Sequence, residues 1–187
     1  MITHEITFTL PGHPAPKGSL KCIGARGTVK HQLIEDVRVG QKAWREAVTY
    51  AAKYAAQKTN RKADQYEPVG VEVTLTIDRG PSHFGTGRNA GFLKHTAPLH
   101  PTKKNTDDVD KLLRLVLDAM TNAGLLFDDC QVVETTARKS FPVPTRAVLL
   151  GGPKPPAWAD SYVPLPDALP HPGARIRLYP VNGGDRW

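Results

Sequence analysis

The stretch from Asp108 to Val133 constrains this chain more than any other. Four aspartates, Asp108, Asp110, Asp128 and Asp129, bracket one short helical segment. Clustered carboxylates repel one another, and they persist together where a divalent cation or a cationic side chain neutralises them. The pattern predicts a helix from about Asp108 to Ala123, with Gly124 placed to end it in a left-handed cap. Asp108 and Asp110 stand two apart where loop becomes helix. In an extended or N-cap conformation both carboxylates can aim at one ion. Asp128 and Asp129 lie just beyond the other end, and they reach the first pair only if the chain folds back at Gly124 so that the two segments run side by side.

Each pair taken alone is ordinary. Aspartate caps helix N-termini, and Asp-Asp is common in turns. Their joint occurrence around one helix, preceded by Lys103-Lys104, is what points to chemistry. Carboxylates with no neighbouring His or Cys suit Mg²⁺, with Mn²⁺ as a substitute, better than Zn²⁺. The spacing is not that of an EF-hand, because no Asp-x-Asp-x-Asp-Gly run is present.

The remainder of the chain is basic. Its 187 residues, 40% apolar and 23% charged, suit one domain spanning residues 1–187 with a hydrophobic core. A net charge of +7 favours a polyanionic partner, since Lys and Arg release counterions from nucleic acid. Acid concentrated at one point of a basic chain implies a cation held against a polyanion, as in a metal-dependent nuclease. Cys22 and Cys130 are far apart, which excludes a zinc-finger spacing and a disulfide framework. No apolar stretch is long enough for a bilayer, and the N-terminus lacks a signal-peptide pattern, so the expected compartment is the cytoplasm and no membrane partner is expected.

Periodicity places the other elements. Glu5–Leu10 alternates as a strand stopped by Pro11-Gly12, and residues 11–31 read as a basic loop carrying Lys17, Lys21, Arg26 and Lys30. Ala43, Trp44, Ala47, Val48, Ala51 and Ala55 recur at helical spacing between about Val39 and Gln57, with Trp44 expected against a sheet. Val71, Val73, Leu75 and Ile77 share one face of a strand over 69–77. Residues 79–106 form a long Pro/Gly-rich loop, and loops of this length tend to be functional. A strand opens at Val132 and runs towards Lys139, residues 142–174 carry Pro and Gly too densely for regular structure, and a last strand spans 174–181. The expected fold is α/β (α+β): a single compact domain whose mixed sheet is covered by two main helices.

The run Asp108-Val-Asp110-Lys-Leu-Leu-Arg114, then Asp118-Ala-Met, Gly124 and Asp128-Asp129-Cys-Gln131-Val, resembles the signature of the RusA family of Holliday junction resolvases of phages and bacterial prophages. The match covers about residues 103–139, and the flanking strand–helix–strand order is similar. The resemblance implies a homodimeric, Mg²⁺-dependent endodeoxyribonuclease that nicks four-way DNA junctions symmetrically in the cytoplasm of a bacterial host, with no small-molecule cofactor. It assigns Asp108, Asp110 and Asp129 to the metal-binding acid positions, with Asp128 as a supporting acid, while Asp118 falls inside the helix as a capping or pairing residue. Two positions depart from the family pattern: Lys111 stands where Asn is usual, and Arg114 where a catalytic-site Lys is usual. Arg114 can contact phosphate bidentately but cannot give up a proton. Lys111 and Arg114 would balance charge near the scissile phosphate, and Lys17, Lys21, Lys103, Lys104 and Lys139 would hold the DNA backbone. The departures leave two alternatives, a broader nuclease of branched or flap DNA and a junction-binding protein impaired in catalysis.

Overall fold

The computed structural model describes residues 4–18, 20–23, 32–35, 39–102 and 107–181. Strand β1 (Ile6–Pro11) is followed by a small hairpin of β2 (Leu20–Ile23) and β3 (Gln32–Glu35), then by helix α1 (Gln41–Lys58). Next come strand β4 (Val69–Thr76), helix α2 (Val109–Asn122), strand β5 (Val132–Ser140), the short helix α3 (Arg146–Leu150) and strand β6 (Gly173–Pro180). β1, β6, β4 and β5 form one sheet in that order. β6 is antiparallel to both β1 and β4, whereas β4 and β5 are parallel. This is the expected mixed sheet in a single α+β domain.

Register explains why both helices lie on one face. The pairings align Ile6, Leu178 and Val71 in one row, Phe8, Ile176 and Val73 in the next, and Leu10, Ala174 and Leu75 in a third. These rows join Trp44, Val48 and Ala52 of α1 and Leu112, Leu115, Val116, Ala119 and Met120 of α2 in one core. The intervening positions carry polar residues, including Thr7, Arg177 and Glu72 in one row. There Arg177 bridges Glu5 at 2.8 Å and Glu72 at 3.2 Å. Apolar and polar residues alternate because successive side chains leave a strand on opposite sides.

Both stretches expected to lack regular structure contain some. The basic 11–31 segment includes β2, whose pairing with β3 is local. Within 142–174, helix α3 starts at Thr145, whose hydroxyl accepts from Val148 N–H at 3.3 Å. Two 3-10 turns, Pro81–His83 and Gly87–Asn89, punctuate the 79–106 loop. The two long segments share a second small core of Leu93, Ala97, Leu149 and Ala159, flanked by Phe84, Val148, Trp158 and Tyr162. A few apolar residues dispersed between prolines have no periodicity, so this lobe is invisible to pattern reading.

Gly124 ends α2 as expected, at φ +72°, with its N–H on Thr121 O and the Leu125 N–H on Met120 O. An L-residue with a side chain is disfavoured in that left-handed conformation by about 1–2 kcal/mol. Gly124→Ala is therefore expected to lower stability by about 1 kcal/mol in urea unfolding without altering the slope. A decrease below about 0.3 kcal/mol would contradict this account of the helix stop.

Candidate functional site

α2 presents the first acidic pair at its N-terminus. Asp108 is the N-cap residue, with extended backbone, and its carbonyl accepts from Leu112 N–H at 3.1 Å. Its carboxylate does not cap the helix and instead lies 3.4 Å from the Lys111 ammonium. Asp110 is exposed in the first turn, where the helix dipole favours negative charge. Arg114 is also exposed one turn on. Asp110, Arg114 and Asp118 thus follow one another at four-residue spacing along one side of the helix.

The second pair sits in a tightly specified turn. The Asp128 carboxylate accepts from Cys130 N–H at 2.9 Å. Gln131 is 4% exposed and holds the turn from beneath. Its Oε1 accepts from Phe127 N–H at 2.7 Å and Asp128 N–H at 3.3 Å. Its Nε2 donates to Glu67 O at 3.0 Å and to Asp64 O. Glu67 is locked in turn by Arg61 at 2.6 Å, both side chains being buried. Asp129, exposed, is left as the outward acid of the turn. A cavity of about 210 Å³ opens here between Arg45, Asp118, Thr121, Asn122, Asp128 and Asp129. Sequence reading missed Arg45 and the positioning role of Gln131. Arg45 carries no signal beyond its place next to Trp44, whereas Gln131 was visible only as part of the Asp-Asp-x-Gln motif.

The chain does reverse after Gly124, as the sequence permits, but Asp128 and Asp129 lie in the turn itself, so the two pairs do not meet within one chain. The reason is topological. β4 and β5 are parallel, so the connection between them must return the chain to its starting end, and α2 performs that return. Asp107, next to the N-terminus of α2, accepts on its carbonyl from Lys139 Nζ at 2.9 Å, near the finish of β5. Asp128 and Asp129 precede the start of β5, beside the C-terminal half of α2. A helix of 14 residues is about 21 Å long, which keeps the pairs apart. Among the described residues no three His, Cys, Asp or Glu side chains could hold one metal ion.

The basic residues divide similarly. Lys17 binds Asp118 at 2.6 Å, both half-buried, so that Asp118 pairs as expected and the Lys17 ammonium is used inside the molecule. Lys111 and Lys139 border the Asp108 end through the contacts given above. The side chain of Lys21, with Lys103 and Lys104, lies outside the described residues. No helix is long and apolar enough to cross a membrane among the described residues.

Two outcomes follow from the turn. Gln131→Ala removes the partner of the Phe127 and Asp128 N–H groups and of the Glu67 carbonyl, while Asp64 O keeps the Glu67 N–H, and it is expected to cost about 2–3 kcal/mol in chemical denaturation. A cost under about 0.5 kcal/mol would show that the turn holds without it. The Cys130 N–H bond holds the Asp128 carboxyl below its ordinary value. Because the folded pKa is depressed, this contribution is complete above the ordinary carboxylate range and disappears as pH falls through the lowered value. The Cys130 amide proton should accordingly follow, in NMR spectra, a midpoint below the ordinary aspartate value; a midpoint at or above that value would refute the bond.

Residues 11–148 match the family model described as endodeoxyribonuclease RusA, and that match includes both acidic pairs, α1, α2 and β5. No curated protein matches the chain. The matched span is 138 of 187 residues (148 − 11 + 1), well over half the chain. It carries the strand–helix–strand frame as well as the acidic motifs, and on that breadth the chain belongs to the RusA family of endodeoxyribonucleases.

Proposed function

We propose that the protein is a Mg²⁺-dependent endonuclease that resolves four-way DNA junctions by paired symmetric nicks, acting as a homodimer whose two sites are each completed by both copies. What carries this reading is the separation of the acids. Asp118, beside Asp128 and Asp129, is taken by Lys17, and no three described carboxylates converge on one ion, so each end of one chain falls short of a three-carboxylate set. A twofold axis that sets two α2 helices antiparallel would lay the N-terminal pair of one beside the C-terminal pair of the other, generating two identical sites at once. Two matched nicks need two such sites.

The donor chemistry fits a hard cation. Asp108, Asp110 and Asp129 are oxygen ligands, all three exposed, and Mg²⁺ is commonly held by one or two carboxylates with water and phosphate filling the remaining positions. Asp108 and Asp110 of one copy with Asp129 of the other would hold the ion, and Asp128 would keep Asp129 in place. When bound, Mg²⁺ supplies a Lewis acid for the scissile phosphate and lowers the pKa of a water. Mn²⁺ would substitute. Arg114, exposed one turn from Asp110, is placed to contact a phosphate oxygen bidentately and to steady charge without exchanging a proton. Lys111 partly neutralises Asp108 until the ion replaces it.

The test is cleavage of a synthetic four-way junction in Mg²⁺. Asp110→Asn and Asp129→Asn are each expected to lose at least about a thousandfold in rate while still binding the junction. Mixing the two inactive variants should restore about a quarter of wild-type sites, because half the dimers are mixed and each then has one intact composite site. Wild-type activity in either variant would overturn the metal assignment. Inactive variants that stay inactive on mixing, with subunit exchange verified, would overturn the shared site.

A further inference from the structure

The lobe built from the two long segments carries a cleft that the catalytic acids do not explain. Its volume is about 190 Å³, and it runs between Asn89, Phe92, Lys94 and His95 on one segment and Pro153 and Lys154 on the other. Every lining side chain is neutral or basic. Lys94, His95 and Lys154 are exposed at the rim, and Phe92 is half-buried.

The walls are held by the backbone. Gly85 N–H donates to Phe92 O at 2.9 Å, and Leu93 N–H donates across the segments to Val148 O at 3.0 Å. Gly151 lets the second segment approach, since a Cβ there would lie 2.5 Å from the Phe92 ring. Lys94 Nζ donates to Ser82 O at 3.1 Å, which fixes the ammonium and leaves two of its three N–H donors for a ligand. His95 Nδ1 lies 2.8 Å from Pro155 O; a carbonyl can only accept, so Nδ1 carries the proton and anchors the ring to the second segment.

We infer that this cleft seats the sugar–phosphate backbone of a DNA arm outside the cleavage site. The inference rests on the nuclease reading. Charge complementarity favours it: two ammonium groups, Lys94 and Lys154, border a hollow without a carboxylate. Position favours it too. The lobe follows the C-terminal ends of β4 and β5, at the Asp108–Asp110 end of α2 where Lys139 binds the Asp107 carbonyl. A strand lying in the cleft would therefore continue towards that end. Contacts of this kind set affinity and orientation and carry no sequence information.

The double variant Lys94→Ala/Lys154→Ala tests it in the full chain. Junction binding followed by fluorescence anisotropy between about 50 and 200 mM salt should weaken about tenfold, and the slope of log affinity against log salt should shrink by about 2, one unit for each phosphate that is no longer neutralised. The cleavage rate of fully bound junction in Mg²⁺ should not change, because neither lysine belongs to the cleavage site. Wild-type affinity and slope in the double variant would overturn the cleft as a DNA seat and leave the nuclease reading intact. Failure of the wild-type protein to bind the junction would overturn that reading itself, and this inference with it.

Discussion

The parallel pairing of β4 with β5 governs what this molecule can do. A parallel pair needs a crossover, and the crossover helix runs opposite to both strands. α2 is that helix, so its N-terminus lies at one end of the sheet and its C-terminus at the other. Its apolar side is buried through Leu112, Leu115, Val116, Ala119 and Met120, all at 0% exposure, which leaves it no freedom to slide. The acids on either end inherit that rigidity. Their separation is the direct outcome of burying the helix along its whole length. In the dimer proposed above a second copy would remove it, whereas motion within one chain would have to uncover the core.

The two ends are also built differently. At the N-terminal end, Asp108 and Asp110 are exposed beside the exposed Arg114 and the half-buried Lys111, and surface ion pairs of this kind are weak and readily exchanged. At the C-terminal end the Asp128–Asp129 turn is fastened by the buried Gln131, which is itself bonded to the backbone around a buried Arg61–Glu67 pair. Burying such a pair is expensive unless both partners stay in place, so the turn resists displacement. One end thus offers adaptable charge and the other a fixed carboxylate. That division would suit the composite site proposed above, in which the rigid half would supply geometry and the other half would adjust to cation and phosphate.

Elements with a strong period were legible in the sequence. Trp44 and the alanines at helical spacing marked α1, and Val71, Val73 and Leu75 marked one face of β4; the structure buries Trp44 and all three strand residues in the core. Gly124 marked the end of α2 because its left-handed conformation is a local requirement. The relative placement of the acids was not legible, since it depends on whether β4 and β5 pair parallel or antiparallel, and nothing within 108–133 encodes that choice. Arg45 was missed for the same reason: it joins the acidic cavity only through the packing of α1 beside α2. The hairpin of β2 and β3 and the lobe with α3 were missed because short, proline-broken segments rely on tertiary contacts, with no repeating pattern to reveal them.

Arg79 fastens the lobe to the sheet. It follows β4 directly, and its guanidinium lies 4.3 Å from the Phe141 ring centroid and 5.5 Å from that of Trp158, one residue just beyond β5 and the other in the second long segment. It donates to Pro98 O at 2.8 Å, which brings in the first long segment as well. Burial pulls its pKa down to about 10, yet it remains a cation at neutral pH. A lysine buried there would be far more readily neutralised, and it has no planar face to stack between rings. Because one permanent cation ties both segments to the ends of β4 and β5, the lobe cannot swing freely on its two connections. Whatever binds it is held at a fixed distance from the Asp108 end of α2, and that is the condition under which a contact remote from the chemistry can orient a substrate.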